Sequence, residues 1–176
     1  IFGSNDYFNK DELLLSSEIY FDDNCTAEVT DSIQYQWSID TLDSVKSAEN
    51  QFFIDSYVLT AGESYTFTLS INFTVLNETY VASASSTLSV LTAPPVIIVS
   101  SGSTMDISSS STVTVDGSAS YDPNIYPFTS DNLIFHWIDV SSGINFTDNT
   151  NPILTILPNT LISNQSYEVM VTVTSL

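Results

Sequence analysis

Short runs in which apolar and polar side chains alternate with a period of two dominate the chain, and no segment sustains the 3.6-residue period of an amphipathic helix. The clearest run is Tyr65–Val75, where the odd positions are aromatic or aliphatic and the even positions are Thr, Ser or Asn. Such alternation predicts a strand with one buried face. Thr79–Leu91 continues it and predicts a further strand closing the same sheet. Tyr167–Thr174 repeats the pattern near the end of the chain, with Met170 as the one apolar residue on the outward parity.

An internal repeat organises these runs. Ile33-Gln34-Tyr35-Gln36-Trp37-Ser38-Ile39-Asp40 matches Leu133-Ile134-Phe135-His136-Trp137-Ile138-Asp139-Val140 at an offset of 100. The same offset places Leu15 on Val115, Phe21 on Tyr121, Asp22 on Asp122 and Asn24 on Asn124. Leu59–Tyr65 matches Leu161–Tyr167 at 102, so two residues are inserted after the second tryptophan. Trp37 and Trp137 are the only tryptophans. Two tandem domains are predicted, 1–93 and 94–176, parted at Ala93-Pro94-Pro95, where proline interrupts strand pairing. A large aromatic in mid-strand with apolar neighbours two residues away suits the space between two sheets. The Leu-x5-Tyr spacing ahead of an alternating strand suits a tyrosine corner. The expected fold is all-β: two antiparallel Ig-like β-sandwiches.

Thr114-Val115-Asp116-Gly117-Ser118-Ala119-Ser120-Tyr121-Asp122-Pro123, followed by Phe135-His136-Trp137, resembles the polycystic-kidney-disease (PKD) domain. It is also similar to the related receptor-for-egg-jelly (REJ) module. The resemblance covers 94–176 and, more loosely, 11–93, where Ser16-Ser17 stand in place of Asp116-Gly117. The Gly-Asp-Gly that many PKD domains carry after the tryptophan is absent. Leu-x5-Tyr is shared with fibronectin type III domains, the second family of choice. The PKD/REJ resemblance implies extracellular tandem modules of adhesion, receptor or surface-layer proteins.

Charge narrows the function. Two Lys plus Arg stand against 21 Asp plus Glu, a formal net charge of −19. Nucleic-acid affinity depends on basic side chains that neutralise phosphates, and Lys10 and Lys46 alone cannot supply it. A basic patch for anionic lipid is excluded on the same ground, and no apolar run approaches the ~18 residues of a membrane span. Enzyme chemistry finds little to use. His136 is the single imidazole, it falls on the outward parity of its strand, and no Gly-x-Ser-x-Gly elbow exists. Zinc sites of several His and Cys ligands are excluded by count. Domains this small leave little room for a deep cleft, so no catalytic residue is assigned.

Candidate sites of other kinds remain. Five Asn-x-Ser/Thr sequons, at Asn24, Asn72, Asn77, Asn145 and Asn164, fall in turns or on outward strand positions, and N-linked glycans are expected there. Asp22, Asp23 and Asp31 in the first repeat, and Asp122 and Asp131 in the second, occupy matching places. They suit either calcium, which takes carboxylate oxygens, or plain turn chemistry, in which Asp and Asn bond their own backbone. Cys25 reads as a small loop hydrophobe or as half of a disulfide with a cysteine elsewhere. Ser100–Thr112 holds 9 Ser or Thr in 13 residues and reads as a solvated loop or an O-glycosylated stretch.

The expected role is a non-enzymatic extracellular structural or adhesive glycoprotein segment, partnered by copies of itself or by neighbouring modules of a longer chain. The alternative is a ligand-binding ectodomain of a polycystin/REJ-type receptor that depends on calcium or carbohydrate. By the repeat offset, the second domain lacks the closing strand that Thr79–Leu91 supplies to the first. That strand is expected either from a longer chain or from a neighbouring subunit in a fibre.

Overall fold

Alternating runs become strands where one face finds apolar cover. The computed structural model describes residues 7–19, 33–42, 46–75, 78–146 and 149–176. The regular structure among them is β-strand throughout, and the chain divides into two units, Ile1–Thr92 and Ala93–Leu176.

Unit 1 contains β1 (Tyr7–Phe8), β2 (Leu13–Ser16), β3 (Gln34–Ile39), β4 (Lys46–Ser47), β5 (Gln51–Ile54), β6 (Ser64–Val75) and β7 (Glu78–Leu91). One sheet has the order β1-β7-β6-β3-β4 and the other is the pair β2-β5. All pairings are antiparallel except β1 with β7, which run parallel with Tyr7 opposite Val90. The odd residues of β6 point inward, so Tyr65, Phe67, Leu69 and Ile71 are buried. Trp37 lies opposite Leu69 and is fully buried. Its ring packs on Phe52 at 5.8 Å, and Phe52 meets Phe67 edge-on at 6.3 Å, which joins the two sheets. Each such side chain contributes about 1.5–3 kcal/mol on full burial. The even residues face outward in hydroxyl pairs, Ser64 with Ser89 and Thr68 with Ser85, each at 3.0 Å.

Unit 2 contains β8 (Val113–Asp116), β9 (Leu133–Asp139), β10 (Ile153–Ile156) and β11 (Val169–Ser175). β8 pairs with β10 and β9 with β11, both antiparallel. Val113, Phe135, Trp137, Leu154, Ile156 and Val173 from all four strands form one core. The register follows unit 1 closely. Leu13 faces Ile54 as Val113 faces Ile156, and Trp37 faces Leu69 as Trp137 faces Val171.

Polar anchors repeat with it. The indole N–H of Trp37 donates to Glu49 O (3.0 Å) and that of Trp137 to Asn151 O (2.8 Å), which satisfies the one polar atom of each buried ring. The Tyr65 hydroxyl accepts from Thr60 N (2.9 Å) and the Tyr167 hydroxyl from Ile162 N (2.7 Å). These are the back-bonds that a tyrosine corner requires.

The last strand begins two residues later than the alternation predicts. Glu168 N donates to the Ser141 hydroxyl (3.0 Å) and Glu168 O accepts from Val140 N (2.8 Å). Thr66 in unit 1 makes the same pair of bonds with Asp40, both at 3.2 Å, and β6 reaches back to Ser64 through its pairing with β7. Among the described residues β11 pairs with β9 alone, so regular strand starts at Val169.

Candidate functional site

The Asp-Gly-Ser-x-Ser-x-Asp-Pro run is the most distinctive sequence of the chain, and each of its polar residues has a structural partner. Asp116 ends β8, and its Oδ1 accepts from Ser118 N (2.8 Å), closing an Asx turn. The side-chain and backbone hydrogen bonds from Ser118 hold the Asp116 carboxyl below its usual range, outweighing a small opposing effect of desolvation. Gly117 lies against the core: a Cβ there would meet Pro152 O at 3.1 Å, Phe135 at 3.2 Å and Trp137 at 3.3 Å. Ser120 is buried and its hydroxyl accepts from Ile98 N (3.0 Å) while donating to Ile98 O (3.3 Å). Tyr121 bridges Val96 through backbone bonds.

Asp122, a candidate calcium ligand in the sequence, is buried. Its Oδ1 accepts from Asn124 N (2.8 Å) and Asn124 Nδ2 (2.6 Å), and its Oδ2 accepts from the Ser175 hydroxyl. Asn124 in turn clamps Ala93, donating to its carbonyl (2.7 Å) and accepting from its N–H (2.8 Å). The first residue of unit 2 and the end of β11 are thus tied to one turn. Asp131 is exposed, its N–H donating to Thr129 Oγ1 (3.1 Å). No group of three or more His, Cys, Asp or Glu that could hold a metal occurs among the described residues. Asp22, Asp23 and Asp31 lie outside the described residues, as do Asn24, Cys25 and Asn77.

The described sequons sit on the surface in three settings. Asn72 is half-buried on the outward face of β6, between Gln34 on β3 and Val81 on β7. It borders a depression of about 380 Å³ lined also by Tyr35, Gln36, Ser47 and Ala48. Asn145 is exposed in the loop after β9. Asn164 is exposed with φ 59° in the turn before β11, a conformation that Asn tolerates better than most residues. The serine-rich stretch has no regular structure before Val113 and its serines and threonines are exposed or half-buried.

His136 is exposed on β9 with Nδ1 3.4 Å from Asn149 Nδ2. The loop after it is organised by Asp139. Desolvation would raise that carboxyl, but hydrogen bonds from the Ser142 side chain, Ile144 N, and the Ser141 side chain and N–H together hold it well below the usual carboxylate range. Sequence reading missed one surface feature, an aromatic cluster after the Asp-Pro turn. Tyr126 and the half-exposed Phe128 meet edge-on at 5.7 Å, and Phe128 packs on Tyr121 at 4.7 Å. Its only sequence signal is Tyr-Pro-Phe in a polar stretch.

The geometry and the signature point the same way. The family model of the REJ domain matches residues 17–176. The chain belongs to the REJ domain family. Among curated proteins, no match to the chain is found. REJ domains occur in the extracellular regions of polycystin-type proteins. No helix among the described residues of this REJ chain is long and apolar enough to cross a membrane.

Proposed function

We propose that this REJ-family chain is a non-enzymatic ectodomain segment of a polycystin/REJ-type surface protein, in which β-sandwich units act as glycosylated spacers or adhesive modules. The family match over 17–176 carries the reading. The signature residues support it, because Asp116, Gly117, Ser120 and Asp122 spend their chemistry on turns and packing. Residues used in this way specify a shape rather than a reaction. The net charge of −19 favours solubility over packing on acidic surfaces.

Secretion from eukaryotic cells tests the proposal. The expected product carries glycan mass at Asn72 and Asn164 that an endoglycosidase removes, and calcium titration gives no saturable heat. An unglycosylated secreted product removes the glycoprotein part. A second reading is a ligand-binding ectodomain of the same family, with calcium or carbohydrate dependence as its further proposal. Saturable calcium binding lost in Asp131→Asn would replace the spacer reading with it.

A further inference from the structure

Asn72 lies on the outward parity of β6, where the even residues are Ser, Thr and Asn. It stands opposite Gln34 on β3, and Ser70 stands opposite Gln36 two residues along. Directly opposed side chains on a sheet are about 5 Å apart and diagonal ones about 7–8 Å, so Asn72, Gln34 and Gln36 share one patch of surface. The patch is hollow. A depression of about 380 Å³ lies there, with Asn72 itself in its wall beside Gln34, Tyr35, Gln36, Ser47 and Ala48.

The chemistry of this wall is narrow. No charged residue lines it among the described residues, in a chain with 21 Asp plus Glu. Carboxamides that both donate and accept match the hydroxyls and acetamido group of a neutral sugar, and half-buried Tyr35 adds an aromatic surface. The volume is at the lower end of the ~300–1,000 Å³ of small-molecule sites. Asn72-Phe73-Thr74 is also a sequon, so one wall of the depression is itself an attachment point. A ligand tethered so closely acts at a high effective concentration, and a shallow site fills without high affinity. The other described sequons differ. Asn145 borders a depression of about 300 Å³ whose lining includes Asp139 and His136, and Asn164 borders neither depression.

We propose that the depression on β3 and β6 seats the innermost N-acetylglucosamine of a glycan on Asn72, which makes that sugar part of the folded surface of unit 1. The proposal rests on the glycoprotein reading above and adds the place and the partners of one sugar. Attachment joins Asn72 Nδ2 to C1 of the sugar, as the amide loses a proton and the sugar loses its lipid-diphosphate leaving group. Once seated, the acetamido group and hydroxyls replace water as partners of Gln34 and Gln36, and the acetyl methyl lies against Tyr35. A glycan on Asn164 has no such seat and extends into solvent.

The test uses the 176-residue chain secreted from eukaryotic cells and trimmed by an endoglycosidase to a single N-acetylglucosamine per site. In its NMR spectrum the acetyl methyl on Asn72 is expected to show nuclear Overhauser contacts with Tyr35 or Gln36. Thr74→Ala removes the sequon and keeps Asn72, and is expected to lower the melting temperature of unit 1 by about 4 °C or more. The same substitution in sugar-free bacterial protein gives its own effect, which is subtracted; Asn72→Gln serves if Thr74→Ala does not fold. Ser166→Ala, which removes the sequon of Asn164, is expected to leave the melting temperature unchanged. An occupied Asn72 with no such contacts, whose loss matters no more than in bacterial protein, overturns the proposal and leaves the glycoprotein reading standing. A bare Asn72 in the secreted chain overturns both at this site. Saturable binding of chitobiose at Gln36 of the glycosylated protein also overturns the proposal, because the depression would then be open to an outside sugar.

Discussion

Replacing Gly117 with alanine tests whether the family signature is a packing device. The added Cβ would lie 3.1 Å from Pro152 O, 3.2 Å from Phe135 Cε1 and 3.3 Å from Trp137 Cζ2. Neither ring has room to retreat, since Phe135 and Trp137 are 0% and 2% exposed. The backbone is held too, because Gly117 N donates to that same Pro152 O at 2.9 Å. Overpacking of this kind costs about 1–3 kcal/mol. Gly117 lies outside the left-handed region, so alanine recovers about 0.4–1 kcal/mol by restricting the unfolded chain. The net expectation is a loss of about 1–2 kcal/mol. For a unit of this size that lowers the melting temperature by roughly 4–8 °C per kcal/mol. Urea unfolding followed by tryptophan fluorescence measures it. Ser17 stands at the matching place in unit 1, where its N–H donates to Asn50 O (3.1 Å) and its hydroxyl to the same oxygen (3.0 Å). Ser17→Ala adds no atom and removes one exposed bond, so it is expected to cost under about 0.5 kcal/mol. A Gly117→Ala protein as stable as the parent refutes the packing argument.

Tyr65→Phe leaves Thr60 N without its acceptor at a part-buried site and is expected to cost about 1–2 kcal/mol by denaturant melts. Tyr167→Phe, at a more exposed site, is expected to cost less; the reverse order contradicts the assignment. The Asp139 carboxyl, lowered by its serine and backbone donors, contributes stability above its unfolded value near ~3.9. That contribution declines as pH falls below about 4 and is lost through the still lower folded value. An NMR titration of the Asp139 carboxyl with a midpoint at or above the ordinary value would sink this. With a net charge of −19 and two basic side chains, the chain is expected to melt at a higher temperature in ~150 mM than in ~10 mM NaCl, because screening weakens self-repulsion. A steady fall in melting temperature over that range contradicts it.

What the sequence by itself determined is what a strand records locally. Period-two alternation placed β6 and most of β11, because which face is buried is written residue by residue; β7 forms where its run predicts a strand, yet only Val90 of it is buried. The Leu-x5-Tyr spacing foretold the Tyr65 and Tyr167 back-bonds, since those span only five residues. The Asp-Gly-Ser signature and the tryptophan strand led to the REJ family. Other features were decided only in three dimensions. The partner of Asp122 Oδ2 is Ser175, 53 residues away, which no local pattern around the Asp-Pro turn could name. Tyr167 and Glu168 lie outside regular strand because no described strand pairs with them as β7 pairs with the start of β6. The crowding that excludes a Cβ at Gly117 comes from Phe135, Trp137 and Pro152. Hydrogen bonds and close contacts depend on groups that the fold brings together from distant positions, and periodicity along one strand carries no information about them.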